Sequence, residues 1–420
     1  MKNIFLLLIS CFLLSCASHK KLSKTIDSNL NDSFFQNQFT GFFVYNSKSG
    51  DTLINYNGDK YFTPASNTKI FTLYTAHTLL PEYLPSIKYT VENNKIYFQG
   101  VGNPATLHSF LKDSSAINFL KNQNELYFYN NNLSDTKLGP GWAWDDFDTY
   151  YAPERSAFPI YGNVVTIAQK DTLFVVPKYF QKNVFVETAE RRREIGANKF
   201  YIAPSKKDTV EIPFITDTSS VKGILGEILQ KKIHLTNTFP RGEKKVIYGI
   251  KADSVYKRMM HVSDNFIAEQ LLVLASSTLS DTLSSSKAQT HILKNQLKDL
   301  KHNPRWVDGS GLSRYNLFTP ESMVFVLDKL YREIPQETLF DMFPTGGETG
   351  TIKSYFKGNP KPYIHAKTGT LSNNYCLSGY LETKSGEVLI FSFMNNHYRG
   401  GSSAVKKQMT PILEWIRDHY

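Results

Sequence analysis

The chain has 420 residues, 41% of them hydrophobic, with 24 Tyr and 29 Phe. That suffices for one large domain or two ordinary ones, and it excludes a disordered or fibrous chain. A formal charge of +10 is compatible with any anionic partner and singles out none.

Lys2 and the mostly apolar run over residues 4–14 read as a signal peptide covering residues 1–15, because eleven residues are too few to span a bilayer. Leu13-Leu14-Ser15-Cys16 resembles a bacterial lipobox. It implies cleavage before Cys16, lipid on the Cys16 sulfur and a membrane tether without a spanning helix. The alternative is an ordinary signal with a chance cysteine. Either way an exported chain is not expected to meet nucleic acid. Ala17 and Ser18 follow, with no Asp after Cys16, which points to the outer rather than the inner membrane of a cell envelope, facing the periplasm. Cys11 falls in the signal, leaving Cys376 alone beside Cys16, so no intrachain disulfide is expected.

Residues 16–36 are polar and irregular and read as a tether. Gly41-Phe42-Phe43-Val44-Tyr45 and Asp51–Tyr56 predict a hairpin across Lys48-Ser49-Gly50. Pro64 stops the extended chain, and Ile70, Phe71, Tyr74, Ala76 and Leu79 recur at helical spacing, which puts Ser66 at a helix N-terminus. Over 85–240 the texture changes to short alternating strands, such as Lys95-Ile96-Tyr97-Phe98, separated by Asn/Asp turns. Helical character returns with Phe266, Ile267, Leu271 and Leu272 on one face. Residues 276–286 are Ser-rich and read as a surface loop. Helices follow through Leu293, Leu297 and Leu300 and over 323–330. Strands are expected at 363–370, 376–382 and 387–393, then a last helix from about Ser403.

Three short motifs stand out: Ser66-Asn67-Thr68-Lys69, Ser263-Asp264-Asn265 and Lys367-Thr368-Gly369. Each is weak alone, since Ser-x-x-Lys recurs at Ser109, Ser254 and Ser354, and Lys-[Ser/Thr]-Gly recurs at Lys48 and Lys384. Context selects one copy of each. Residues i and i+3 share a helix face, so the Lys69 ammonium can reach the Ser66 hydroxyl. A serine nucleophile needs a base, and a lysine serves only if desolvation or a second cation lowers its pKa. Lys367 would be that second cation. Ser263-Asp264-Asn265 precedes a helix and reads equally as an N-cap. Lys367-Thr368-Gly369-Thr370 lies on a strand, where Gly369 lets another backbone approach and the flanking N–H groups and hydroxyls suit a carboxylate.

With this trio in order, the chain resembles the penicillin-binding proteins. It resembles in particular the D-alanyl-D-alanine carboxypeptidase/endopeptidase family, the low-molecular-mass class C enzymes of peptidase family S13. Trp306-Val307-Asp308-Gly309-Ser310-Gly311-Leu312-Ser313-Arg314 is similar to a further block of that family, and Gly141-Trp142-Ala143-Trp144-Asp145-Asp146 to another. Gly102-Asn103-Pro104 departs from the Gly-Gly-Asp-Pro many members carry. Ser66 and Ser263 lie 197 positions apart (263 − 66), room for an inserted domain that ordinary β-lactamases lack.

The resemblance implies an α+β fold: a serine β-lactamase/DD-transpeptidase-like domain from residues 37–84 and 241–420, its antiparallel sheet packed by helices, and an inserted mainly β region at 85–240. It implies Ser66 as nucleophile, Lys69 as its base, Ser263 as proton relay, Lys367 as tuner of protonation and Asn265 as the group orienting Lys69 and the substrate backbone. The oxyanion would lie between the Ser66 and Thr370 N–H groups, with the Thr368 and Thr370 hydroxyls on a carboxylate and Gly369 between them. Asp146 would hold the side-chain amine of diaminopimelic acid, or is a turn aspartate. Arg314 would hold a carboxylate of that residue, or serves a structural ion pair. The implied reaction is hydrolysis of D-Ala-D-Ala ends or D-amino-acid cross-links in peptidoglycan stem peptides, blocked by β-lactam acylation, with no metal or cofactor. The alternatives are a non-catalytic peptidoglycan-binding protein on the same scaffold and a β-lactamase, which would need fast deacylation.

Overall fold

The computed structural model describes residues 24, 26, 28–169, 172–206 and 208–420. The expected signal peptide and Cys16 lie outside the described residues.

The central sheet has five antiparallel strands in the order Ile364–Leu371, Asn374–Glu382, Val388–Asn396, Phe39–Asn46, Asp51–Tyr56. The predicted N-terminal hairpin thus extends the C-terminal meander, with Phe42 opposite Phe393. Side chains alternate between its faces. Tyr375, Leu377, Leu381, Leu389, Phe391 and Phe393 point to a core under the C-terminal helix Ser402–His419. Cys376, Tyr380, Ile390 and Met394 point to a second core under helices Lys69–Leu79, Asn265–Ser276 and Pro320–Glu333. Layers on both faces explain why almost every residue of the two inner C-terminal strands is buried.

Local chemistry sets the helix ends. Thr319 and Ser322 cap each other reciprocally, with Pro320 in the first turn. Asp264 caps Asn265–Ser276 by accepting from the Ile267 N–H at 3.0 Å. That helix is not amphipathic as its spacing suggests: everything from Phe266 to Ser276 is buried, because it runs through the centre of the molecule.

The inserted region has its own core around Phe98, Phe128, Phe158 and Phe200. Its main sheet runs Ile233–Leu235, Glu125–Tyr129, Lys95–Gly100, Tyr83–Glu92, Lys245–Lys251. Strand Lys245–Lys251 pairs with Tyr83–Glu92, so the insertion returns near 251 rather than at the expected 240. Three shorter strands form another sheet and two form a parallel pair. Helices Ser115–Lys121 and Thr218–Leu229 cover the β structure. In the Gly102-Asn103-Pro104 turn, Asn103 accepts from the Ala105 N–H and donates to the Pro85 carbonyl, both at 2.7 Å.

Further expectations need correction. The 16–36 segment is not a free tether throughout: Ile26 and Leu30 are fully buried and Phe35 nearly so, packed with Phe42 and Phe393 against the sheet. Its few apolar side chains were masked by polar neighbours. The Ser-rich 276–286 stretch is not a simple surface loop either. Ser284 and Ser285 are buried, where the Ser284 hydroxyl and the Ser285 N–H donate to Asp135 of the insertion. Leu297 and Leu300 are buried, but in turns beyond the helix Ser285–Lys294. Among the described residues no helix is long and apolar enough to cross a membrane.

Leu30→Ala should lower the unfolding free energy by about 2–5 kcal/mol, the ordinary cost of emptying a buried leucine site. Urea denaturation of the soluble chain measures it, and a free tether would show no change.

Candidate active site

Ser66 lies in a short 3-10 turn, Ala65–Thr68, that leads directly into the helix Lys69–Leu79. The turn is strained, since Ala65 sits in the left-handed region at φ 48°. It is also clamped from two sides. A Cβ on Gly369 would lie 2.2 Å from the Pro64 carbonyl oxygen, and one on Gly311 would lie 1.9 Å from that of Ala65. Glycine at both positions therefore lets an edge strand and a loop close on the nucleophile turn. At Gly311 the backbone is left-handed as well, at φ 82°.

The Lys69 ammonium is fully buried. It donates to Ser66 Oγ at 3.0 Å, Asn265 Oδ1 at 2.7 Å and the Ser310 carbonyl at 2.7 Å. Burial holds its pKa down to about 8, against the opposing pull of Asp308, Glu269 and Asp264. Lys367 is also fully buried and donates to Ser263 Oγ at 2.9 Å and the Thr368 carbonyl at 2.7 Å. Burial first, and the Lys69 charge second, push its pKa well below the lysine range. Two buried lysines, each on a serine hydroxyl, place neutral amine bases within the range of ordinary pH.

The second motif divides its work. Asp264 is the cap; Ser263, at φ 60°, ends the preceding helix Ala252–Val262. This sharp junction turns the Ser263 hydroxyl toward Lys367 and the Asn265 amide toward Lys69. Asn265 Nδ2 donates to the Tyr151 carbonyl at 3.0 Å, so the insertion orients it.

A cleft of about 1000 Å³ opens over Ser66. Its wall includes Ser263, Asn265 and Thr370, with Asp146 and Arg314. Asp146 accepts from the Tyr151 hydroxyl at 2.6 Å. Arg314 reaches Asn373 Oδ1 at 3.3 Å and Ser372 Oγ at 3.5 Å, and it has no ion pair among the described residues. Thr368 is tucked against the Thr351 hydroxyl at 2.7 Å. The expected residues of all three motifs therefore meet, with Asp146 and Arg314 in the same cleft. Among the described residues no group of His, Cys, Asp and Glu could hold a metal ion.

Sequence reading missed the acids behind Lys69. Asp308 accepts from Trp142 Nε1, the Gly311 and Ser313 N–H groups and Asn316 Nδ2, at 2.7–2.9 Å, and so shapes the loop carrying Ser310. Glu269 accepts from the Ser310 N–H at 2.7 Å. The signal for Glu269 was the one charge in the mostly apolar run Phe266 to Ala275, which otherwise holds only Gln270 as a polar residue.

Residues 22–238 and 253–418 match the family described as the D-Ala-D-Ala carboxypeptidase 3 (S13) family. A D-alanyl-D-alanine carboxypeptidase of Haemophilus influenzae is 24% identical, over 94% of this chain and 92% of its own. Penicillin binding protein 4 of Haemophilus influenzae shares the fold, with a TM-score of 0.72 at 20% identity, over 93% of this chain and 99% of its own. A predatory endopeptidase of Bdellovibrio bacteriovorus shares it more loosely, with a TM-score of 0.52 at 16% identity, over 90% of this chain and 94% of its own.

Gly369→Ala should push the edge strand off the nucleophile turn and lower stability by about 1–3 kcal/mol, the range for overpacking a filled site. Urea denaturation reads it; unchanged stability would mean the strand does not bear on Pro64.

Proposed function

We propose, for a chain that belongs to the D-Ala-D-Ala carboxypeptidase 3 (S13) family, that it is a serine DD-peptidase acting on peptidoglycan stem peptides through an acyl-enzyme on Ser66. One observation carries this reading: the buried Lys69 amine sits 3.0 Å from Ser66 Oγ at the floor of an open cleft. Both carboxypeptidase and endopeptidase action fit, and relatives of similar fold carry each name.

Neutral Lys69 takes the Ser66 proton as Oγ attacks the carbonyl carbon of the scissile D-Ala peptide bond. The oxyanion falls to the Ser66 and Thr370 N–H groups; losing one such donor typically costs about 10²–10³ in rate. The leaving D-Ala amine receives its proton through Ser263, whose hydroxyl Lys367 holds at 2.9 Å. The exposed Thr370 side chain, on the cleft wall, takes the substrate carboxylate, with Thr368 buried beneath it against Thr351. Water then attacks the ester, freeing Ser66. A β-lactam enters by the same attack but keeps its leaving group attached, so the acyl-enzyme persists. Asp146 and Arg314, on the cleft wall, would hold the amine and carboxylate of a diaminopimelate side chain. The scaffold would act at a membrane surface through lipid on Cys16, on the periplasmic side of the cell envelope.

Intact mass of the soluble chain with Cys16 replaced, after incubation with benzylpenicillin, should show a stable adduct, absent in Ser66→Ala. That variant should also lose D-Ala release by a factor of about 10³ or more. No adduct with penicillin unchanged would favour a binding protein, and no adduct with penicillin consumed a β-lactamase. In cells, Cys16→Ser should move the chain from the membrane to the soluble fraction; persistence at the membrane would sink the lipid anchor.

A further inference from the structure

Lys69 is held from behind by a chain of contacts that begins in the inserted region. Arg155 of that region is almost fully buried and lies 3.6 Å from Asp135 and 3.7 Å from Glu269 Oε2. The other Glu269 oxygen, Oε1, accepts from the Ser310 N–H at 2.7 Å. The carbonyl of that same Ser310 accepts from Lys69 at 2.7 Å. The loop lies close against the helix: a Cβ on Gly309 would lie 2.6 Å from the Ala268 carbonyl oxygen, so only glycine permits the approach. Gln270, next in the helix, accepts from the Ser156 N–H at 2.9 Å and donates to the Ser156 carbonyl at 2.9 Å and the Gly102 carbonyl at 3.0 Å.

A carboxylate buried only to balance Arg155 would turn both oxygens to it. Asp135 already faces that guanidinium, and Glu269 Oε2 makes no hydrogen bond. Glu269 instead turns its hydrogen bonding to Ser310, whose peptide holds the lysine.

We propose that Glu269 is a positioning residue, gripping the Ser310 peptide so that its carbonyl aims Lys69 at Ser66, and that Arg155 makes the inserted region part of this support. The proposal rests on the acyl-enzyme reading above. Glu269 works in two separable ways: by reach, through the Ser310 N–H, and by charge. The charges around Lys69 are Asp308, Glu269 and Asp264, and its own charge pushes Lys367 down rather than the reverse; those around Glu269 are Asp308 and Arg155. Burial first, and Asp308 second, push the Glu269 carboxyl up to about 7, so it is ionised where Lys69, held near 8, titrates; there its charge favours the protonated lysine, and removing it should let Lys69 lose its proton at lower pH.

The test is the rate of acylation by benzylpenicillin against pH for the wild type, Glu269→Gln and Glu269→Asp, with circular dichroism to verify folding. Gln keeps an acceptor for the Ser310 N–H but no charge; the acid limb should move down by about one pH unit. Asp keeps the charge but falls one methylene short; the limb should stay and the rate fall by about 10- to 100-fold. Wild-type kinetics in both variants, or equal losses with no displacement of the limb, would overturn the proposal. If the Gln variant does not fold, the Asp variant decides: a slower rate on an unmoved limb supports the role, and a wild-type rate removes it. An unacylated wild type would overturn the acyl-enzyme reading itself, and with it any role for Glu269 in it.

Discussion

Removing two ammonium groups from water at one place is the constraint around which this molecule is organised. Each would cost several kcal/mol if left uncompensated. Lys69 recovers it through three acceptors from three parts of the chain: the nucleophile turn, the central helix and the loop after Asp308. Lys367 recovers it from the helix junction and its own strand. The sheet edge, the buried helix and the Gly311 loop must therefore all arrive together, and neither amine is solvated well enough to hold its proton at the ordinary lysine pKa.

The inserted region is usually the part of such a chain one would regard as separable, since it has its own core. Here one stretch of it, residues 142–155, reaches the surroundings of Lys69 through Trp142 on Asp308, the Tyr151 carbonyl on Asn265, and Arg155 on Glu269. Each contact lands on a residue that either touches Lys69 or shapes what touches it. The insertion thus helps fix where the lysine sits.

How much of this was legible in the sequence depended on range. The hairpin at Lys48-Ser49-Gly50 and the strands near the C-terminus carry period-two patterns and turn residues, which are local signals. The three motifs announced themselves by residue type and by order. What stayed hidden depends on partners far along the chain. Strand Lys245–Lys251 looked like the start of the second half, because nothing local says that it pairs with Tyr83–Glu92. The helix Asn265–Ser276 looked one-sided, because burial of its far face comes from the insertion. Asp264 inside the second motif was both things its composition allowed, a cap by role and the hinge between two site residues by position.

The docked N-terminal segment has a consequence for where such a molecule can work. Only ten residue steps separate Cys16 from Ile26, which is anchored in the core (26 − 16 = 10). Even fully stretched, that span reaches no further than about 35 Å. With lipid on Cys16, as proposed, the body would ride on a short leash, fastened to the sheet face opposite the catalytic helices. It would then reach only the layer of wall polymer nearest the membrane, so that distance from the bilayer, as much as peptide chemistry, would decide which bonds are cut.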